Sequence, residues 1–389
     1  MKKSMVLFAL ATIAATGANA TKARLNALGG SNWVPVEYQD IFTSPHKMML
    51  LENQAQVEMG PASTFTTATG PSIGSPGVEG GFITGLGAGK VGFHVGRQNT
   101  DWNTAVSSFN SFGVIGSPES TKFTAQENPI NILYAGKSGE MNWGANLYYM
   151  NFESKSTTAT LTQNAPYRKN LMGISGSASE GPWAAYLVLG LNGKAEELTA
   201  TASANDTMTS TGAIIAKGSY KFMDDALVWG KWDYKAGKEE RNGTERGKYE
   251  QSVYQLGVER KIAGSEGLFF YGLWFRYTSN VMTTTFNSGE TKYTQMELPF
   301  VLGFETSANS WLDLRGSVTQ NVLLGTEKIE VNGAGETDTW KPNTTAAIGA
   351  SFKFNPKLKL DFTATAGTTG KILDGAATLG TEAGLAYIF

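Results

Sequence analysis

Residues 267–280 read GLFFYGLWFRYTSN, and every second side chain in this stretch is apolar. Phe269, Leu273 and Phe275 fall on one face of an extended chain, and the residues between them fall on the other, which is mixed in character. A period of two residues is typical of a β-strand with one apolar face. The stretch MELPFVLGFE (296–305) repeats the pattern, so we expect a protein built from such strands.

About sixteen segments of this kind can be counted along the chain. They lie near 50–60, 78–87, 89–98, 127–137, 139–152, 168–179, 181–192, 211–222, 225–236, 249–262, 267–279, 292–306, 310–323, 342–355, 357–369 and 377–389. Most have the roughly 9–11 residues with which a tilted strand crosses a bilayer. The sequence therefore predicts an all-β fold, a transmembrane antiparallel up-and-down β-barrel of about 16 strands, or of 14 if the first pair belongs elsewhere.

The connections between these segments alternate in length. Brief turns such as GAG, KSG, SEG and NPK are rich in residues that favour tight turns. Long polar connections fall between them, near 61–77, 99–126, 153–167, 193–210, 237–248, 280–291, 324–341 and 370–376. Short periplasmic turns and longer extracellular loops are typical of outer-membrane barrels. If both ends of the barrel lie in the periplasm, the number of strands must be even.

A soluble all-β sandwich or solenoid is the alternative, because alternation alone indicates only a half-buried strand. The first twenty residues, MKKSMVLFALATIAATGANA, favour the membrane barrel. Lys2 and Lys3, a short apolar run and the small-x-small ending at Ala20 are typical of a secretory signal peptide. The other interpretation is an N-terminal buried or membrane helix, for which the apolar run is short. We therefore assign 1–20 to a signal peptide and 50–389 to the barrel.

Composition excludes several classes of function. A formal net charge of −2 gives no attraction for nucleic acid, so no nucleic-acid partner is expected. The chain has no cysteine and only two histidines, His46 and His94, which leaves little for a metal site or acid–base chemistry. We expect no enzymatic activity, no cofactor and no metal.

The last eleven residues, LGTEAGLAYIF, alternate up to the final position. Leu385, Tyr387 and Phe389 share one face, and Phe389 ends the chain. This ending resembles the C-terminal assembly signal of Gram-negative outer-membrane β-barrel proteins. The resemblance implies recognition by the barrel assembly machinery, contact with lipid and lipopolysaccharide, and location in the cell outer membrane.

A second resemblance lies near the N-terminus, in ARLNALGG (23–30) followed by DIFTSPHKM (40–48). These stretches are similar to the opening of FadL/PorV-type transporters, in which such a segment folds into the lumen. Ser44 and His46 stand where that family has Asn and Ala around the proline. The resemblance implies that 21–49 forms a lumen plug; a periplasmic N-terminal arm is the alternative.

Charged residues recur on the polar faces of the predicted strands. An outward basic residue near the bilayer midplane would cost about 2–4 kcal/mol, so these side chains are expected to face the lumen. The pore-lining candidates are Lys231, Asp233, Arg276, Glu297, Glu305, Asp313, Arg315, Lys353, Asp361 and Glu382. They would either bias solute passage as charge rings or pair to stabilise a packed interior.

These patterns favour an outer-membrane porin, a water-filled and weakly selective channel for passive diffusion of small polar solutes, which could also form a homo-oligomer. A FadL-like transporter of hydrophobic compounds is one alternative, and its mark would be an apolar pocket beside the plug. A structural or surface-interaction barrel without transport is another. The connection 99–126 contains four aromatic residues, so we hypothesise that it folds into the barrel mouth or packs between subunits.

Overall fold

The computed structural model describes residues 21–29, 38–61, 76–97, 129–154, 167–197, 206–264, 267–284, 289–339, 343–369 and 378–389. Nearly all of them lie in strands. The strands are β1 (Gln54–Pro61), β2 (Pro76–Leu86), β3 (Gly89–Val95), β4 (Ile130–Ser138), β5 (Met141–Ser154), β6 (Tyr167–Glu180), β7 (Trp183–Glu197), β8 (Asp206–Met223), β9 (Ala226–Arg241), β10 (Thr244–Ala263), β11 (Gly267–Thr284), β12 (Gly289–Asn309), β13 (Leu312–Val331), β14 (Ala334–Thr339), β15 (Asn343–Asn355), β16 (Leu358–Thr369) and β17 (Thr378–Ile388).

The strands form one closed antiparallel barrel. Each strand pairs with the next in the chain, and β17 closes the ring by pairing with β1, with Gln54 opposite Ile388. Both β14 and β15 pair with β13, at its two ends, so these two segments share one position in the ring. Seventeen segments thus make sixteen strand positions, which confirms the predicted barrel of sixteen rather than fourteen strands.

Residues alternate between the outside and the lumen along each strand. On β10, Leu256 and Val258 point outward and are well exposed, whereas Gly257 and Glu259 point inward and are buried. Across the ring many aliphatic and aromatic side chains are exposed. A closed barrel leaves no strand edge unpaired in lipid, and an apolar outer belt matches the hydrocarbon. The chain is therefore an outer-membrane β-barrel. No helix in the described ranges is both long enough and apolar enough to span a membrane.

Two of the predicted long connections are wrong, because strands continue through them. At 237–248, β9 and β10 extend to a two-residue turn at Asn242 and Gly243, whose φ angles are 52° and 75°. At 324–341, β13 turns at Asn332 and Gly333 into β14 in the same way. Positive φ at both central residues is the turn geometry that matches the twist of paired strands, and Asn-Gly adopts it readily. The barrel wall therefore extends further on this side than expected.

The N-terminal residues 21–29 and 38–51, which we call the inner segment, lie inside the barrel. They contain helix α1 (Lys22–Ala27) and two short 3-10 helices, Tyr38–Phe42 and Pro45–Leu50. Helix α1 packs on β13, β15, β16 and β17, and the second 3-10 helix packs on β3 to β6. Asp361 and Glu305, two wall residues that the inner segment contacts, lie only a few residues from short turns. The inner segment therefore lies near the end of the barrel that has the short turns.

The signal peptide predicted for 1–20 and the connection 99–126 lie outside the described residues.

Candidate functional site

Helix α1 is held to the barrel wall by buried ion pairs. The Arg24 guanidinium donates from two nitrogens to the two carboxylate oxygens of Glu305, with Nε 2.8 Å from Oε1. Arg315 lies behind this pair, 3.3 Å from Asp361 and 3.6 Å from Glu305. Planar guanidinium groups suit such two-point contacts with carboxylates. The Arg24–Glu305 pair joins the inner segment to β12, and the Arg315 pairs link β12, β13 and β16 behind it, so the network fixes the position of helix α1 in the lumen.

The second part of the inner segment is also held by neutral groups of the wall. Asn146 and Ser175 donate hydrogen bonds to the backbone oxygen of Phe42, over 3.2 and 2.9 Å. His46 meets Ser177, with 2.7 Å between Nδ1 and Oγ. Burial and the nearby charge of Lys47 lower the pKa of His46, so its imidazole is neutral near pH 7 and can accept a hydrogen bond from Ser177.

An apolar surface lies beside the inner segment, on the lumen side of β9 and β11. We call its residues Leu227, Trp229, Leu268, Phe270 and Trp274 the apolar shelf. Leu25 and Leu28 of the inner segment pack against it. The rings of Trp229 and Trp274 are 6.2 Å apart, and Trp274 and Leu268 are only half-buried. The shelf thus presents aromatic and aliphatic surface within the lumen.

Glycines on the neighbouring strands β10 and β12 make room for these aromatic rings. A Cβ at Gly257 of β10 would lie 2.7 Å from both Trp229 and Trp274. A Cβ at Gly303 of β12 would lie 2.2 Å from the ring of Phe270. Side chains at these two positions would displace the aromatic rings, so the glycines are required for the shape of the shelf.

Polar side chains lie along one side of the apolar shelf. The indole nitrogen of Trp229 donates to Glu259 over 2.8 Å. The ammonium group of Lys217 lies 5.1 Å from the centre of a Trp229 ring, within cation–π range. These contacts orient Trp229 and leave apolar surface toward Trp274.

All ten predicted pore-lining residues point into the barrel, and most contact a partner charge. Lys231 lies 3.0 Å from Asp233, Arg276 lies 3.5 Å from Glu297, and Lys353 lies 2.6 Å from Asp313. Glu305, Arg315 and Asp361 belong to the Arg24 network described above. Glu382 accepts a hydrogen bond of 2.6 Å from Asn26 of the inner segment. The structure therefore brings these charges together as pairs, several of them beneath the inner segment.

The residues predicted as the assembly signal lie on the outer surface of the last strand. Leu385, Tyr387 and Phe389 are exposed and point away from the lumen. The backbone nitrogen of Phe389 donates to the backbone oxygen of Asn53, just before β1. The C-terminus is therefore part of the seam that closes the barrel.

Sequence reasoning missed the apolar shelf and the role of Arg24. Trp274 stands two residues before Arg276, on the face predicted to point inward, so strand periodicity could have placed it in the lumen. The Arg24–Glu305 pair joins residues 281 positions apart, and no local sequence pattern predicts it.

No protein-family model and no curated protein matches this chain. Solved structures with a similar fold include the CymD monoaromatic hydrocarbon channel, at 9% identity, with 94% of this chain and 96% of that chain covered and a TM-score of 0.41. They also include a Pseudomonas aeruginosa FadL homologue (11% identity, 92% and 96% covered, TM-score 0.43) and the Pseudomonas putida toluene transporter TodX (10% identity, 95% and 98% covered, TM-score 0.41). At these TM-scores we draw nothing about function from the similarity.

Proposed function

We propose that this barrel transports small hydrophobic compounds, aromatic ones in particular, through a lumen that the inner segment closes. The observation that carries the proposal is the apolar shelf beside the inner segment. Trp274 and Leu268 are only half-buried, and the buried rings of Trp229 and Phe270 lie behind them. A partly exposed indole backed by apolar side chains is a surface of the kind that binds aromatic ligands by dispersion and desolvation. An apolar site next to a closing segment is the feature that distinguishes this function from an open porin.

The inner segment supports the same proposal. It lies across the lumen near the short-turn end and is fixed there by the Arg24–Glu305 pair and by contacts to Asn146 and Ser175. Passive flow of polar solutes requires an open water-filled path, which a bound segment obstructs. Binding at the shelf and movement of the inner segment would therefore be linked steps. We propose no chemical reaction, and lipid, lipopolysaccharide and the assembly machinery stay the predicted partners.

Intrinsic tryptophan fluorescence tests the binding step. Folded protein in detergent is titrated with naphthalene, a neutral aromatic probe, and separately with glucose. We expect saturable fluorescence changes with naphthalene only, and a loss of most of the response in Trp274→Leu. Trp183→Leu, on the outer surface, is the matched control and should retain the response. A non-saturable response, or equal responses of the two variants, would contradict the proposal.

A weakly selective porin for small polar solutes is the second candidate. The observation that favours it is that charges of both signs line the wall of the lumen, among them Lys231, Asp233, Arg276 and Glu297. Planar-bilayer recordings separate the two functions. Large steady channels that ignore naphthalene would favour the porin, whereas little ion conductance favours the hydrophobic transporter.

A further inference from the structure

Thr21, the residue that follows the predicted leader, is completely buried in the barrel. Its Oγ1 donates a hydrogen bond of 3.0 Å to Asp361 of β16. Its side chain lies against the backbone of Gly384 in β17, where an added Cβ would come within 2.5 Å of the Thr21 Cβ. The start of helix α1 therefore binds a site of complementary shape on the last two strands, β16 and β17.

A second carboxylate lies beside the same point and forms no ion pair of its own among the described residues. Glu58 of β1 is 5% exposed and accepts a hydrogen bond of 2.6 Å from the backbone nitrogen of Lys22. Its other hydrogen-bond donors among the described residues are the side-chain amides of Gln39 and Gln56. All three donors are uncharged. Gln39 also donates to Glu79, which pairs with Arg97 over 3.4 Å. A buried carboxylate is costly unless a positive charge compensates it, so with Arg97 shared between two carboxylates this site is one positive charge short.

Removal of the leader would supply that charge. Cleavage after Ala20 converts the backbone nitrogen of Thr21 from an uncharged amide into an α-ammonium group. This atom belongs to the residue that bonds Asp361 and is adjacent to the amide that bonds Glu58. We propose that the new α-ammonium of Thr21 binds between Glu58 and Asp361, and that leader removal thereby fixes the inner segment in the lumen. The inference rests on the predicted cleavage and holds for either transport function.

Periodate oxidation tests whether the N-terminus is Thr21 and whether it is buried. Periodate cleaves the 1,2-amino alcohol of an N-terminal threonine and leaves a glyoxylyl group, which intact mass spectrometry detects. We expect a mass that begins at Thr21, rapid reaction after boiling in SDS, and reaction slowed about tenfold or more in the folded barrel. A different first residue, or equal rates in the folded and unfolded protein, would overturn the proposal.

A double-mutant cycle tests the charge interaction. One glycine inserted between Ala20 and Thr21 displaces the ammonium group, and Glu58→Gln removes its partner. We expect each change to raise tryptic cleavage at Lys22 and Arg24 in the folded barrel about tenfold, and both together to have little more effect than one. Thr21→Ser keeps both groups and is the control. Heat-modifiable migration reports barrel folding separately. If the two effects multiply, the ammonium and Glu58 do not interact, and the proposal fails.

Discussion

Gly257 separates the two tryptophans of the apolar shelf, and its replacement should deform the shelf. A valine at this position places its Cβ 2.7 Å from the ring of Trp229 and 2.7 Å from the Cβ of Trp274. Overpacking of this kind costs about 1–3 kcal/mol. We expect Gly257→Val to lower the free energy of unfolding in urea by that amount and to weaken naphthalene binding.

The control for this change is Gly218→Val. Gly218 is exposed on the outer face of β8, and a Cβ there would meet nothing within 4 Å. Its replacement should leave both stability and binding unchanged. Equal losses in the two variants would mean that the shelf has no special packing requirement at Gly257.

Arg24 is the residue on which the position of helix α1 depends most. Arg24→Met leaves Glu305 buried with the more distant Arg315 as its remaining ion pair among the described residues, and loss of one partner of a buried ion pair costs about 3 kcal/mol. We expect the inner segment to leave its site more often, and ion conductance in planar bilayers to rise. Arg260→Met is the control, since its pair with Asp225 is solvent-exposed, and its conductance should match the unchanged protein. Equal conductance of all three proteins would contradict this role for Arg24.

At the scale of elements, the hairpin of β9 and β10 depends on its two-residue turn. Gly243 has a φ of 75°, a conformation that costs a side-chain-bearing residue about 1–2 kcal/mol. Gly243→Val should open the outer end of this hairpin and speed amide hydrogen exchange near the turn. The equivalent turn at Asn332 and Gly333 is an internal reference and should exchange as before. Unchanged exchange at both turns would show that the strand pairing alone holds the hairpin.

Most of the fold could be predicted because each strand carries its own alternation. The sixteen segments correspond to strands of the structure, and only β14 was missed. The strand extensions were hidden because they lie beyond the membrane, where neither face needs to be apolar. The Asn-Gly pairs at 242–243 and 332–333 were a usable signal, since this dipeptide between strand-like runs indicates a hairpin.

The lumen was less predictable than the wall. The alternation of side chains along β16 indicates that Asp361 points inward, but it does not indicate which charged residue Asp361 contacts. Asp361 contacts Arg315 from β13 and Thr21 from the inner segment, and these partners depend on barrel closure. The apolar shelf likewise arises from β9 and β11, which are separated by a strand whose contribution is a glycine. These side chains come from different strands and meet only when the barrel is closed. The sequence of a single strand therefore does not predict their contacts.

For the whole molecule, the direction in which a charge points should decide whether the barrel tolerates it. Leu273→Arg places a cation on the lipid face, at a cost of about 2–4 kcal/mol near the midplane. Thr365→Arg places the same side chain on the lumen side of β16, opposite Gly380, where an added Cβ would meet nothing within 4 Å. We expect only the first variant to lose heat-modifiable migration at low urea. Similar losses in both would count against the assigned inner and outer faces.

The contact of Thr21 with β16 and β17 affects the order in which parts of the protein fold. The hydrogen bond from Thr21 to Asp361 spans 340 residues, so the first part of the described chain binds to nearly the last. Contacts of such high sequence separation form late, because the cost of closing the intervening loop comes first. The inner segment is synthesised before any strand, yet its site on β16 and β17 is complete only when Phe389 joins the seam. A chain that lacks β16 and β17 therefore has no complete site for Thr21, and the large sequence separation delays this contact until both strands have paired.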